Sequence, residues 1–276
     1  MSLADLFQDA SLEVEDLLLL EAFQIGYLPG WVPERELAAV LWAHPTIKRF
    51  LIKKHPPIRD FVEQVMESFG PAADQQELAV CEEKLVWTIP DLLVYNKCPE
   101  VYDGLAFHGW DFSEVTGITT LEDKVVVDGG AGTGRVTLEA AQTARHVFAI
   151  EPVTRLRRFI REKASQAGLN NVFVSDGLLH AIPLPDGWAD VLITAFALGW
   201  QLEDELREFE RVVKRGGYII HCPGTAEIPT EEAQHERLIS ADWGYACARF
   251  RAADGWKRKY WKQVLPGSMA RFSIPS

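Results

Sequence analysis

Cysteine is scarce in this chain of 276 residues, and the four that occur lie far apart: Cys81, Cys98, Cys222 and Cys247. None has the C-x-x-C spacing of a zinc or redox site, so we predict reduced thiols, mostly in the core, and no metal. No apolar run approaches the length of a membrane span. The N-terminus carries acids around 17–20 and lacks the basic and then apolar order of a signal peptide. Together these absences predict a cytoplasmic protein without a membrane span.

Basic residues are also few in the first part of the chain. Residues 1–120 hold 8 Lys and Arg against 20 Asp and Glu, whereas residues 121–276 hold 20 of each, and the whole chain has a net charge of −12. Without a basic arm the chain is a poor candidate for binding DNA, and its acidic first part also argues against RNA. The change in charge predicts two domains that meet near residue 120.

Prolines divide the first part into helical segments. The sequence predicts helices over 34–42, 46–54, 58–69 and 75–86, preceded by one longer helix with a broad apolar face between Leu12 and Phe23. His44 and His55 are isolated, so no metal-ligand spacing occurs here. We expect residues 1–120 to be a helical cap or oligomerisation module with a connector, and a homodimer through these helices is a possible arrangement.

The most informative stretch is Lys124–Gly134, with the sequence KVVVDGGAGTG. Valines typical of a buried parallel strand are followed by a glycine-rich turn and, from Arg135, by a helical pattern. This order predicts a ligand site at the carboxyl end of the strand, because glycines let backbone N–H groups approach a ligand closely. A P-loop is excluded, since no G-K-[ST] follows. The dinucleotide pattern G-x-G-x-x-G, counted from Gly130, would need glycine where Arg135 stands.

Acids follow the next two predicted strands. Residues 145–151 form a strand pattern that ends in Glu151, which lies 19 residues after Gly132. A carboxylate there can accept hydrogen bonds from both ribose hydroxyls, and this position of the acid is the same for NAD and S-adenosylmethionine. A third strand, 171–175, is followed by Asp176 and Gly177. A fourth strand is predicted over 191–196, and the basic helix from Pro152 to Ala167 is interpreted as having a solvated outer face.

Three segments resemble the class I S-adenosylmethionine-dependent methyltransferases. Residues 128–134 look like the first motif of that family, residues 182–191 resemble its "LPFPDGSFDVV" segment, and residues 212–217 resemble its "VLKPGG" turn, with Arg215 in place of proline. The resemblance covers about residues 121–265. It implies an α/β, doubly wound, Rossmann-like sheet of seven strands with a terminal antiparallel hairpin, in addition to the N-terminal helical module.

The resemblance also implies roles for individual residues. Backbone around Gly130, Ala131, Gly132 and Gly134 would meet the methionyl part of S-adenosyl-L-methionine, and Asp128 would help hold its ammonium group. Glu151 would bind the ribose, and Pro152 next to it is a further cofactor candidate. Asp176 and Gly177 would meet the adenine, although the spacing from Asp176 to Pro183 is about two residues longer than in relatives. The remaining cofactor candidate is Thr194.

The acceptor side is less well defined. Candidates for a lid or substrate wall are Tyr102, His108 and Trp110, and His108 is also a possible general base. Trp200 is a further substrate candidate, in the segment after the fourth strand that would face the transferred methyl group. No catalytic residue is assigned. The family's Asn/Asp-Pro-Pro-Tyr signature for amino groups of DNA bases and protein amides is absent after the fourth strand. The implied function is methyl transfer to a small molecule. The alternatives are an NAD(P)-dependent oxidoreductase, a non-catalytic cofactor-binding scaffold and an RNA methyltransferase.

One further motif mixes bases with aromatics, the run Lys257–Lys262 (KRKYWK) in the second strand of the predicted hairpin, 256–264. It could contact an anionic substrate. We favour the interpretation that these charges protect an edge strand from aggregation.

Overall fold

The computed structural model describes residues 7, 10–105, 109–199, 201–222, 229–253 and 255–265. His108 and Trp200 therefore lie outside the described residues. Contacts divide the chain into two compact units, one of Met1–Leu105 with Val153–Leu156 and one of Ala106–Pro152 with Arg157–Ser276. The connector residues 109–120 thus group with the second unit. A functional domain boundary near residue 120 stays a prediction.

The first unit is helical. Its α-helices are α1 (Ala22–Ile25), α2 (Glu34–Ala43), α3 (Pro45–Lys54), α4 (Arg59–Ser68), α5 (Gln75–Val86), α6 (Pro90–Lys97) and α7 (Pro99–Asp103), and two 3₁₀ helices span Val14–Leu19 and Pro56–Ile58. The four helices predicted over 34–86 are confirmed within two residues at each end. Leucine, isoleucine and valine side chains from all these segments up to α6 form one buried core.

The single helix predicted between Leu12 and Phe23 is wrong. Two capping boxes break it, because Asp16 accepts a hydrogen bond from the Glu13 N–H and Gln24 accepts one from the Glu21 N–H. Each box starts a separate short helix, and the backbone at Leu20 between them is extended.

The second unit is built on a sheet of seven strands. The strands are β1 (Val125–Gly129), β2 (His146–Ile150), β3 (Val172–Ser175), β4 (Ala189–Ala195), β5 (Val213–Cys222), β6 (Ala246–Ala252) and β7 (Gly255–Gln263). Their order is β3-β2-β1-β4-β5-β7-β6. The first five strands are parallel, and β7 is antiparallel to both β5 and β6. The predicted doubly wound sheet with an antiparallel hairpin is confirmed.

Helices cover both faces of this sheet. They are α8 (Ser113–Thr116), α9 (Arg135–Ala141), α10 (Thr154–Gln166), α11 (Leu202–Val212) and α12 (Pro229–Ile239). The strand order reverses between β1 and β4, and ligands of such sheets bind in the crevice outside the carboxyl ends at this switch point. The fold therefore places a crevice beside the glycine-rich turn that follows β1.

The charged run 257–262 does not lie on an edge strand. It belongs to β7, which pairs with β5 on one side and β6 on the other. Alternation in the sequence predicts that the last two strands form a hairpin, but not which of them pairs with β5. The edge-protection interpretation is therefore wrong for this strand. Lys257 and Arg258 are in fact buried, with 1% and 7% of their surface exposed.

Candidate active site

The glycine-rich turn folds against the end of the neighbouring strand. The N–H groups of Gly130 and Ala131 both donate to the carbonyl of Ile150, at 2.9 and 3.0 Å. Gly130 has a φ of 67°, and a Cβ there would lie 2.4 Å from the Cβ of Ala197. Glycine is required at this position for both reasons, and the turn is held close to the segment after β4.

Glu151 and Gly132 come together at this edge. The Gly132 N–H donates to Oε2 of Glu151 at 2.8 Å, and the glutamate is buried, with 4% of its surface exposed. A hydrogen bond from a backbone amide to a carboxylate is charge-assisted and fixes the orientation of the acid. Gly134 lets α9 pack against α10, since a Cβ there would lie 2.9 Å from Ile160, and its approach to a cofactor stays a prediction.

Arg157 connects the ends of β2 and β3. Its Nη1 donates to the carbonyl of Glu151 at 2.8 Å and to Oδ1 of Asp176 at 3.0 Å. The Arg157 side chain is only 12% exposed, whereas the Asp176 side chain is 72% exposed. The interpretation of the helix bases as a solvated face is wrong for Arg157, which instead ties the two predicted cofactor acids together. Pro152, which follows Glu151, is half-buried.

The segment between Asp176 and Pro183, which is longer than in relatives, contains a local turn. Leu178 and Ala181 form an isolated bridge, and the Ala181 N–H donates to the Leu178 carbonyl at 3.0 Å. Gly177 is tightly enclosed, because a Cβ there would lie 2.7 Å from Pro183 and 2.8 Å from Ile150. The backbone of Gly177 therefore stays close to the end of β2 despite the longer loop.

We expect Gly177→Ala to destabilise the protein by about 1–3 kcal/mol, because the added methyl group overlaps two packed side chains. Chemical denaturation measures this change. Gly70→Ala is the matched control, since nothing lies within 4 Å of a Cβ at Gly70. Equal free energies of unfolding for the two variants would contradict the enclosed geometry.

The Asp128 side chain points toward α9. It is 1% exposed, and the Thr137 hydroxyl of α9 donates to its Oδ2 at 2.5 Å. Burial raises the pKa of Asp128 to about 6, although the hydrogen bond from Thr137 acts in the other direction. In the structure Asp128 thus holds α9 against β1. Its role toward a ligand's ammonium group stays a prediction.

The raised pKa of Asp128 predicts a pH-dependent stability. Between about pH 4 and pH 6 the folded state retains a proton that the unfolded state releases, so stability falls as pH rises through this window. Asp128→Asn removes the ionisation. The free energy of unfolding of the variant minus that of the wild type should increase by up to about 3 kcal/mol from pH 4 to pH 7. Urea titrations across this range would contradict the burial effect if the difference stayed constant.

A row of directly paired residues crosses the sheet from the turn. Gly129 pairs with Thr194 of β4, Thr194 with His221 of β5, and His221 with Tyr260 of β7. The Thr194 hydroxyl and His221 Nδ1 are hydrogen-bonded at 2.8 Å, and both residues are fully buried. Burial, together with the charge of Lys262, lowers the pKa of His221 to about 3, so the imidazole is neutral.

Thr194→Val should destabilise the fold by about 1–3 kcal/mol, because His221 Nε2 has no hydrogen-bond partner in the described structure and the variant would leave Nδ1 unpaired as well. Thr133→Val is the control, since the Thr133 hydroxyl is buried without a partner among the described residues. Thermal or chemical denaturation should show little loss, or a gain, for the control. A control loss as large as that of Thr194→Val would remove the hydrogen bond as the cause.

The two candidate substrate residues that the structure describes, Tyr102 and Trp110, lie in different units. Tyr102 lies on α7 in the first unit, where its ring is 4.5 Å from that of Tyr95. Trp110 is 2% exposed and packs in the second unit against Arg135, whose guanidinium lies 4.5 Å from the indole centroid and donates to the Trp110 carbonyl. Trp110 therefore has a packing role. Its contact with a substrate stays a prediction.

Sequence reasoning missed Phe196, which directly follows β4. Its φ of 58° lies in the left-handed region, which is rare for a bulky residue and costs of the order of 1–3 kcal/mol. Such strain concentrates at functional sites. A phenylalanine carries no sequence signal for this conformation, so the pattern alone could not have identified it.

No cluster of three or more potential metal ligands occurs among the residues that the structure describes. No helix in that part of the chain is long and apolar enough to cross a membrane.

Comparisons with known proteins agree with this geometry. Residues 127–221 match the family described as a methyltransferase domain. The sheet order, the glycine turn and the acids at the strand ends are those of the class I type. Residues 127–221 are therefore similar to a methyltransferase domain, and the surrounding geometry resembles that of the class I S-adenosylmethionine-dependent type.

Individual relatives are similar to this chain over part of their length. An uncharacterized methyltransferase of Anoxybacillus flavithermus is 24% identical over 140 residues, covering 46% of this chain and 64% of the relative. A protein of Oryza sativa subsp. indica, named a probable histone-arginine methyltransferase, is 32% identical over 126 residues, covering 45% of this chain and 23% of the relative. This chain thus spans less than two thirds of either relative.

A solved structure supports the fold. The crystal structure of a SAM-dependent methyltransferase from Aquifex aeolicus has a TM-score of 0.52 and 22% sequence identity, and the match covers 60% of this chain and 98% of that one.

Proposed function

We propose that this protein transfers a methyl group from S-adenosyl-L-methionine to a small-molecule acceptor. The observation that carries the proposal is the buried Glu151 carboxylate held on the Gly132 N–H at the switch point of the sheet. The carboxylate has acceptor capacity beyond this hydrogen bond, and its site is where a ribose is bound in folds of this type.

The residues present fit the cofactor. Glu151 would accept the ribose hydroxyls, and the backbone of Gly130–Gly132 would meet the methionyl part. Gly177, which has no room for a Cβ, would bring backbone to the adenine beside Asp176. The cofactor, when bound, supplies an already activated methyl group on a sulfonium. The protein's main contribution is therefore proximity and alignment of the acceptor.

A small-molecule acceptor is supported by charge and by the segment after β4. The second part of the chain has no net charge and the first part is acidic, which disfavours nucleic acid. The residues that end and follow β4 are Ala195, Phe196, Ala197 and Leu198, with no proline. The histone-arginine name belongs to a relative of which this chain covers only 23%. A homodimer through the N-terminal helices remains a prediction.

Glu151→Ala tests the proposal. The variant should bind S-adenosylhomocysteine at least tenfold more weakly, about 1.4 kcal/mol, because it loses a charge-assisted contact to the ribose. Isothermal titration calorimetry measures the affinity. Glu162→Ala is the matched control, since Glu162 is exposed on α10. NAD⁺ and bulk RNA are titrated in parallel.

The alternatives make different predictions in this experiment. Binding of NAD⁺ in preference to S-adenosylhomocysteine would favour the oxidoreductase, and tight binding of bulk RNA would favour the RNA methyltransferase. Unchanged affinity in Glu151→Ala would remove this glutamate from the site.

A further inference from the structure

Residues 196–199, which we call the β4 loop, follow β4 in an unusual backbone conformation. Phe196 has a φ of 58°, which is strained for a bulky residue, and Gly199 has a φ of 121°. Gly199 also has no room for a side chain, because a Cβ there would lie 2.5 Å from Nε2 of Gln234. A strained conformation persists only where the surrounding structure holds it in place. The groups that hold this loop therefore need to be identified.

The main one is Glu205, a buried acid in the first turn of α11 with 1% of its surface exposed. Its Oε2 accepts a hydrogen bond from the Gly199 N–H at 2.8 Å, and its Oε1 accepts one from the Gln201 N–H at 3.0 Å. Hydrogen bonds from backbone amides to a carboxylate are charge-assisted and strong. Both oxygens of Glu205 thus bind the backbone that connects the β4 loop to α11.

Two further hydrogen bonds fix the rest of the loop. Gln234 of α12 donates from its Nε2 to the Leu198 carbonyl at 3.1 Å. At the start of the loop, the Phe196 N–H donates to the carbonyl of Cys222 in β5 at 3.2 Å. Partners from α11, α12 and β5 therefore hold a short segment that has no regular structure of its own.

Capping of α11 explains only one of the two hydrogen bonds of Glu205. Gln201 is the N-cap residue of α11, so the bond to its N–H satisfies the start of the helix. Gly199 lies two residues earlier, outside the helix, and the bond to its N–H fixes the β4 loop instead. The position of Glu205 thus serves the loop as well as the helix.

The β4 loop lies against the glycine-rich turn. Ala197 is in contact with Gly130, where an added Cβ would be 2.4 Å from the Cβ of Ala197. The backbone of Gly130–Gly132 is the part of the turn that would meet the methionyl part of the cofactor. A shift of the loop would therefore change the shape of the crevice beside the turn.

We propose that Glu205 is a positioning residue for the cofactor site, and that it acts with Gln234 by holding the β4 loop against the glycine-rich turn. The inference rests on the proposed function and adds to it the residues that keep the crevice in its binding conformation. When a protein adopts its binding conformation only part of the time, its apparent dissociation constant rises by the inverse of that fraction. Holding the loop keeps this fraction high.

Glu205→Gln tests the inference, because an amide has one acceptor oxygen and cannot accept from both N–H groups as the carboxylate does. Calorimetry on the full-length protein, well below the unfolding temperature of each variant, should show that S-adenosylhomocysteine binds about fivefold more weakly or worse. Amide hydrogen exchange in the β4 loop should become about tenfold faster, while exchange in β1 stays unchanged. Unchanged affinity in this variant would overturn the inference.

Asp74→Ala is the matched control for a purely structural role. Asp74 lies in the first unit, and its carboxylate also accepts hydrogen bonds from two backbone N–H groups at the start of a helix, α5. The control should unfold at a lower denaturant concentration, because it loses a cap, and should keep its affinity for S-adenosylhomocysteine within about twofold. Equal losses of affinity in Asp74→Ala and Glu205→Gln would overturn the inference.

Gln234→Leu provides a second test that leaves the cap of α11 intact. Leucine has a similar size but cannot donate to the Leu198 carbonyl, so affinity for S-adenosylhomocysteine should again fall, by about twofold or more. Unchanged affinity would contradict the inference even where Glu205→Gln does not fold. A wild-type protein that does not bind S-adenosylhomocysteine would overturn the proposed function and the inference together. A wild-type protein that binds it no more tightly than the two loop variants would overturn the inference alone.

Discussion

The site depends on the parallel register between β1 and β2. Gly129 is paired with Ile150, so the turn that follows one strand and the acid that follows the other begin at the same height. The Ile150 carbonyl then accepts hydrogen bonds from the first two N–H groups of the turn. The side-chain carboxylate of the next residue, Glu151, accepts a hydrogen bond from the N–H of Gly132. A shift of one residue in either strand would break all three hydrogen bonds and turn Glu151 to the other face. Register, more than the glycines themselves, positions the predicted ribose site.

Strand alternation gives neighbouring residues opposite functions. Asp128 points toward α9 and binds Thr137, while Gly129 faces the side where Thr194 and His221 lie. The buried polar groups thus support the turn from both faces of the sheet. This arrangement costs free energy, as the raised pKa of Asp128 and the lowered pKa of His221 show. The same buried polar groups hold the carboxyl ends of the strands in a fixed position, so that the groups at this edge are already in place when a ligand binds.

Much of this edge could be predicted from the sequence, because its signals are local. Valine runs, the glycine turn and the acid 19 residues after Gly132 follow from strand and turn chemistry, and their order carries the family resemblance. Residues that act through distant contacts gave no such signal. Arg157 looks like any other base on a polar helix face until β3 brings Asp176 beside it. His221 is one polar residue at the end of an apolar strand, and its partner Thr194 lies 27 residues earlier.

The acceptor side was harder to predict for a topological reason. The family match ends at residue 221, while β7, which carries Lys257, is inserted between β5 and β6 from the end of the chain. Nothing in a hairpin pattern specifies which of its strands is interior, yet this choice decides whether Lys257 lies on an edge strand or is buried in the interior of the sheet. The motifs of the family describe the half of the site that binds the common cofactor. The inserted hairpin and the connector around Trp110 meet at Phe250, whose ring lies 6.2 Å from that of Trp110. Residues outside the matched segment thus take positions that only tertiary contacts decide, and this is why the sequence predicts the cofactor side better than the acceptor side.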